Sequence, residues 1–143
     1  MTPTLPTIVK SAARFMAALE ITVTRFPRAH RYTLGSDLRR QAMEVARLSH
    51  KAWRDRQEQL QRIVELSDAI DDMKLRLQLA SDVHAFVSFA QFEALARILS
   101  DLGRQCGGWR KKQSVNGQNE RSSAAAQRPS ILSSRAASHE AMP

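Results

Sequence analysis

The sequence predicts an all-α protein, an antiparallel up-down four-helix bundle. Apolar residues recur at spacings of three and four along most of the first 109 residues, as on one face of a helix. Aromatic residues make up only 6% of the chain, and glycine and proline number five each, which argues against a β-sandwich or barrel. The segments between the periodic stretches are short, as are the connections between antiparallel helices in a bundle.

The first helix is predicted from about Thr7 to Arg25. It should end before Pro27, because a residue that precedes proline is disfavoured in the helical conformation. Its apolar stripe consists of Ile8, Ala12, Phe15, Met16, Leu19 and Val23. After a connector from Pro27 to Thr33, the second helix should begin near Leu34, with Thr33 or Ser36 as its cap. Its buried face is predicted to contain Leu38, Ala42, Val45, Ser49 and Ala52.

The third helix is predicted from about Arg56 to Ala85, with a heptad-like apolar seam that suits packing between helices. The seam contains Ile63, Leu66, Ile70, Met73, Leu77, Ala80, His84 and Val87. Because His84 lies on this seam near a helix end, we expect a hydrogen-bonded core histidine there.

The fourth helix has the strongest local signal. Ser88 to Gln91 fits a capping box, and Val87 with Phe92 fits the accompanying hydrophobic staple. Its predicted buried residues are Phe92, Leu95, Ile98, Leu99 and Leu102. Gly107-Gly108 is expected to end the helix in a left-handed cap, with Trp109 folding back onto the last turn.

The composition changes after Trp109, which predicts a bundle domain over residues 1–109 and a disordered tail over residues 110–143. The tail is rich in Ser, Ala and Gln and has no apolar periodicity. Such a segment buries too little apolar surface to offset the entropy of ordering it. Six of its residues are basic and two are acidic, so it is either a source of non-specific affinity for nucleic acid or a solvated extension.

The sequence offers little support for catalysis, a metal or a cofactor. Di-iron bundles use Glu-x-x-His pairs, but Arg47 and Ser81 stand three positions before His50 and His84. The single cysteine, Cys106, has no neighbouring histidine or second cysteine that would activate it. The acidic residues Asp68, Asp71 and Asp72 are interpreted as a solvated face with pairs such as Asp72 to Arg76. We therefore expect no enzyme activity, no cofactor and no metal site.

Membrane insertion is also not expected. The apolar runs fall far short of the ~20 residues that a membrane span requires. Lys10, Arg14 and Glu20 interrupt the N-terminal segment, unlike the apolar stretch of a signal peptide. We therefore expect a soluble protein in the cytoplasm.

The charge balance favours an anionic partner. Lys and Arg number 22 against 14 Asp and Glu, a net charge of +8 with a pI near 10.8. A helical wheel places four cations opposite the apolar face of the second helix, with Glu44 able to pair with Arg40 or Arg47. These cations are Arg40, Arg47, Lys51 and Arg54, and Arg28, His30 and Arg31 precede them in the connector. The set is a candidate phosphate track, although basic helix faces also serve solubility.

Four sequence segments together resemble a known family. The segments are FPRAHRYTLG at residues 26–35, LRR at 38–40, LQLA at 77–80 and LGRQCGGW at 102–109. They resemble the accessory variability determinant proteins of diversity-generating retroelements, four-helix bundles that are similar to proteins encoded in intervening sequences of bacterial 23S ribosomal RNA genes. The resemblance covers about residues 8–112 and leaves the tail unmatched.

The resemblance implies a function as well as a fold. It implies a homopentamer that binds a reverse transcriptase and nucleic acid, supports mutagenic reverse transcription of a template RNA into cDNA, and is not itself the catalyst. Arg28, Arg31 and Arg40 lie within the shared motifs, whereas Arg47, Lys51 and Arg54 come from the helical wheel alone. Two alternatives stay open: a scaffold that binds an acidic protein partner, and an RNA-binding bundle of the intervening-sequence type.

Overall fold

A computed structural model of the chain describes the backbone of residues 5–126 and the side chains of residues 5–117. Within the described backbone there are four long helices, one short helical turn and no strand, so the prediction of an all-α fold is confirmed. The elements are α1 (Thr7–Thr24), α2 (Arg28–Arg31), α3 (Leu34–Arg54), α4 (Gln59–Asp82) and α5 (Phe89–Ala126). No helix in this part of the chain is both long and apolar enough to cross a membrane.

Contacts between the helices show that neighbours along the chain are antiparallel. Asp37 near the start of α3 accepts a hydrogen bond from Arg76 near the end of α4, with 2.6 Å between Nη1 and Oδ1. At the other end of the pair, Gln59 Nε2 donates to the backbone oxygen of Ala52 at 3.0 Å. The two contacts lie at opposite ends of both helices, so α3 and α4 run in opposite directions.

The remaining contacts close the helices into a ring. Arg39 of α3 pairs with Glu20 of α1 at 2.8 Å. The Cys106 thiol of α5 donates to the backbone oxygen of Ile63 in α4, and Gln105 Nε2 donates to Ser11 Oγ of α1 at 3.2 Å. Because α3 contacts α1 and α4, and α5 contacts the same two helices, α3 and α5 lie diagonally opposite each other.

The apolar stripes predicted for the four helices fill the centre of this ring. Completely or almost completely buried side chains include Phe15, Leu19, Leu38, Val45, Ile63, Leu66, Ile70, Met73, Leu77, Leu95, Leu99 and Leu102. Met16, Phe92 and Ile98 are partly buried against them. The helical spacing thus identified the core-facing side of each long helix, because that side is set by the turn angle of the helix.

The connector between α1 and α3 is shaped by close packing. Phe26 is buried, and Arg31 donates from Nη2 to the backbone oxygen of Phe26 at 3.2 Å. A Cβ at Gly35 would lie 2.6 Å from Val23 Cγ1, so only glycine lets the start of α3 approach α1 this closely. Thr33 stands at the N-cap of α3 as predicted, but its hydroxyl donates to the Ala29 oxygen at 3.3 Å and does not cap the helix.

The end of α4 corrects the prediction for His84. Its side chain is exposed and its φ is 60°, in the left-handed region, because the helix ends before it. The His84 N–H donates to the Ser81 oxygen and the Ala85 N–H to the Ala80 oxygen, both at 3.0 Å. This is the Schellman pattern, in which a left-handed residue reverses the chain and buries the next apolar side chain. His84 is a capping residue and not a core histidine.

The start of α5 confirms half of the predicted cap. Ser88 Oγ accepts the Gln91 backbone N–H at 3.3 Å, but within the described residues Gln91 Oε1 is buried without a hydrogen-bond partner. Val87 is 63% exposed, so the predicted staple is wrong. Phe86 takes its place, with its ring centroid 5.5 Å from that of Phe92. The chain reversal at His84 turns Phe86, and not Val87, toward the bundle.

The predicted helix end at Gly107-Gly108 is also wrong, because α5 continues to Ala126. No glycine in the described residues has a positive φ, so neither glycine forms a left-handed cap. Glycine within a helix costs only about 1 kcal/mol relative to alanine, and continuing the helix satisfies the backbone carbonyls of the preceding turn. Trp109 is a partly buried helical residue that packs against the core and does not fold back.

This continuation also revises the predicted tail. The compact bundle extends through Arg110, and the following segment is a separate unit. Residues 111–126 of that unit are helical, where the sequence predicted disorder. Residues 127–143 of the predicted tail lie outside the described residues.

Candidate nucleic-acid interface

The predicted cations of α3 lie on its outer face. Arg40, Arg47 and Arg54 are exposed, and Lys51 is half-buried. The opposite face of α3 supplies the buried residues of the bundle, as the helical wheel indicates. The outer face of α3 is therefore available to a partner over most of the length of the helix.

Arg47 is already occupied by a carboxylate. Its Nε donates to Glu44 Oε2 at 2.9 Å and its Nη2 to Glu44 Oε1 at 2.7 Å, which is the predicted pair in a two-bond geometry. These hydrogen bonds lower the pKa of Glu44 and raise that of Arg47. Glu44 therefore neutralises Arg47 at neutral pH and uses two of its N–H donors.

Lys51 and Arg54 lie beside this pair without such compensation. Together with Arg47, His50 and Asp55 they line an open depression of about 720 Å³. Asp55 accepts the Glu58 backbone N–H and the Arg62 Nε, both at 3.2 Å, and these bonds lower its pKa. Among the described side chains, Lys51 and Arg54 form no ion pair. The depression is therefore a cationic surface carried by two residues of the last turns of α3.

The other predicted cations lie away from this depression. The 21 residues of α3 rise about 30 Å, so Arg28 and Arg31, which precede the helix, are at the opposite end of the bundle. Arg31 is partly buried and bonded to the connector, which gives it a structural role. Arg40 is two turns from Arg47, about 10 Å along the helix axis. The structure thus groups Arg47, Lys51 and Arg54, and leaves Arg28 and Arg31 outside the group.

Sequence reasoning did not assign His50 to this α3 face. Its exposed imidazole lines the depression, and its ring centroid is 6.0 Å from that of Trp53 in an edge-to-face arrangement. The available signal was its spacing, since it lies three positions after Arg47 and four before Arg54 on the same side of the helix.

The residues considered for catalysis or metal binding have structural roles in the bundle. Cys106 is buried, its thiol donates to the Ile63 oxygen at 3.6 Å, and burial followed by the charge of Asp71 raises its pKa to about 11. Asp72 pairs with Arg76 at 2.8 Å, as the sequence predicts. Within the described residues, no group of three His, Cys, Asp or Glu side chains could hold a metal ion.

The chain matches no protein-family model, and neither a curated protein nor a solved structure is significantly similar to it. The family resemblance therefore depends on the four sequence segments. Many of their residues have structural roles in this fold: Phe26, Leu38, Leu77, Ala80 and Leu102 are buried. These residues of the segments therefore contribute to the core of the bundle.

Proposed function

We propose that this protein is a non-catalytic accessory subunit of a diversity-generating retroelement that binds nucleic acid together with a reverse transcriptase. The sequence resemblance supplies the biological system. The observation that supports nucleic-acid binding is the cationic depression at the end of α3, where Lys51 and Arg54 form no ion pair among the described residues and the neighbouring Asp55 is bonded to Arg62.

This surface suits phosphate groups. Lys51 and Arg54 are three positions apart, so their side chains leave the helix on one side, about 5–6 Å apart at Cβ. Each cation that replaces a condensed counterion on a phosphate contributes affinity that falls with salt. Phosphate contacts carry no base information, so binding through this depression should be similar for unrelated sequences.

Self-association is part of the proposal and has a separate structural support. Leu75 and Leu79 of α4 and Val83 at its C-cap follow one another at spacings of four, and they are 56%, 51% and 49% exposed. An apolar row on an outer face is typical of a surface that another protein covers. With the resemblance, this row supports a homo-oligomer, for which we propose a pentamer. Light scattering at micromolar concentrations should give about five times the 16.1 kDa chain mass. A monomer mass would refute self-association, and any other multiple would refute the pentamer.

Nucleic-acid binding is tested by removing the positive charges of Lys51 and Arg54. In the variant Lys51→Gln/Arg54→Gln, the slope of log affinity against log salt for single-stranded RNA should become shallower by about 1.4, which is 0.7 for each lost contact. Folding should be little affected, because neither side chain forms an ion pair among the described residues and charges at the surface contribute little to stability. The matched control is Lys10→Gln/Arg14→Gln, which removes two exposed cations from α1.

Equal affinities and slopes for the wild type and the α3 variant would refute the assignment of this surface. A control variant that loses as much affinity would also refute it, because the effect would then reflect net charge alone. Co-purification with the reverse transcriptase before and after nuclease treatment tests the remaining part of the proposal. A protein that binds only an acidic protein partner, with no affinity for RNA, would replace the proposed function with a scaffold.

A further inference from the structure

Both tryptophans of the chain lie in one cleft at the end of the bundle where α3 ends. Trp53 comes from the last turns of α3 and Trp109 from α5, and both are partly buried. The segment Pro6–Ile8 at the start of α1 also lines the cleft, whose volume is about 490 Å³. This volume lies within the ~300–1,000 Å³ that is typical of small-ligand sites.

The polar groups of the cleft complement its aromatic walls. Arg56 is exposed and forms no ion pair within the described residues. Gln59 Nε2 donates to the Ala52 oxygen at 3.0 Å, and Gln105 Nε2 donates to Ser11 Oγ at 3.2 Å. These bonds hold both amides in place and leave their carbonyl oxygens as acceptors. The cleft therefore combines two indole rings, a cation and two amide groups held in place by hydrogen bonds.

The cleft adjoins the cationic depression of α3. His50 lines the depression, Trp53 lines the cleft, and their ring centroids are 6.0 Å apart. Arg54 and Arg56 likewise belong to the two sites and are separated by one residue. A ligand that carries both phosphates and an aromatic ring could therefore engage the two sites at once.

We propose that the tryptophan cleft binds an unpaired nucleobase of a single-stranded nucleic acid whose phosphates contact Lys51, Arg54 and Arg56. Aromatic side chains bind single strands by stacking with the exposed faces of their bases. In a duplex those faces are stacked inside the helix, so a duplex can use only the cations. The inference rests on the proposed function and deepens it, since it specifies single strands as the preferred class.

Intrinsic fluorescence tests the inference directly, because Trp53 and Trp109 are the only tryptophans. Titration with a short oligothymidylate should change tryptophan emission, and a hairpin duplex of equal length should bind without this change. Trp109→Leu should weaken oligothymidylate binding at least about fivefold and leave duplex affinity unchanged. Arg56→Gln should make the salt slope shallower by about 0.7. Tyr32→Leu, at an aromatic residue 68% exposed at the other end of the bundle, is the control.

The outcomes separate the inference from the proposed function. If oligothymidylate binds by fluorescence anisotropy but leaves wild-type tryptophan emission unchanged, the cleft inference is overturned and the nucleic-acid function stands. If neither the single strand nor the duplex binds at low salt, both are overturned. The wild-type titration requires no substitution, so a variant that fails to fold does not leave the inference undecided.

Discussion

Replacing Glu44 with glutamine should strengthen nucleic-acid binding, because Glu44 holds Arg47 away from phosphate. The carboxylate accepts two hydrogen bonds from the guanidinium, at 2.7 and 2.9 Å. Glutamine keeps the shape of the side chain but removes the charge, so Arg47 becomes a third available cation beside Lys51 and Arg54. The pair is solvent-exposed, so the free energy of unfolding should change by less than about 1 kcal/mol.

The expected magnitude follows from one added phosphate contact. The slope of log affinity against log salt should become steeper by about 0.7 for a single strand, which corresponds to about fourfold tighter binding near 0.15 M salt. Because hydrogen bonding to Arg47 lowers the pKa of Glu44, the carboxylate of the wild type is charged at neutral pH. Protonation of Glu44 releases Arg47 only as the pH falls through this lowered pKa. The variant therefore leaves Arg47 free to contact phosphate at neutral pH, whereas the wild type does so only in acid.

The assay is fluorescence anisotropy with a labelled single-stranded RNA at several salt concentrations. Glu93→Gln is the matched control, because it also removes one negative charge and frees Arg97 from an exposed pair, but on the diagonally opposite helix α5. Equal slopes for the wild type and Glu44→Gln would refute the reasoning. An equal gain in both variants would show that net charge, and not the position of Arg47, determines binding.

Three further predictions concern the fold. His84→Gly should raise the free energy of unfolding by about 0.5–1 kcal/mol in thermal denaturation, because glycine adopts a φ of 60° without strain, whereas His84→Ala should give no gain. Cys106, with its pKa raised to about 11, should not react with a thiol reagent near pH 8 until denaturant is added; fast labelling of the native protein would contradict its burial. The lowered pKa of Asp55 means that its ionised form stabilises the fold above its unfolded pKa of about 4, and this stabilisation is lost as the pH falls through the folded pKa. Urea denaturation should therefore show Asp55→Asn less stable than the wild type near pH 7, with the difference shrinking near pH 3.

The core-facing side of each helix was predictable from the sequence, but the residues at which the helices end were less so. Ile63, Ile70 and Leu77 could be assigned to the core from spacing alone, because the turn angle of a helix is local and constant. Whether a helix ends at a glycine is a balance of about 1 kcal/mol, which surrounding contacts decide. The two glycines therefore predicted a helix end at Gly107-Gly108, but α5 continues through both residues.

The helix face that carries the candidate interface was predictable from the sequence, but the set of cations that it offers to a ligand was less so. Arg47, Lys51 and Arg54 could be placed on the outer face of α3 from their spacing. The sequence also allowed Glu44 to pair with either Arg40 or Arg47, and it grouped Arg28 and Arg31 with the same track. Only side-chain geometry shows that Glu44 uses both oxygens on Arg47.

The sequence by itself determined which side of each long helix faces inward, between which segments the chain turns, and that a net positive charge of +8 favours anionic partners. Each of these follows from local periodicity or from composition. The tertiary structure decided which distant residues meet: Asp37 with Arg76, Ser11 with Gln105, and Trp53 with Trp109 in one cleft. These residues belong to different helices, and their meeting depends on how the helices pack, because no local rule relates side chains separated by a chain reversal.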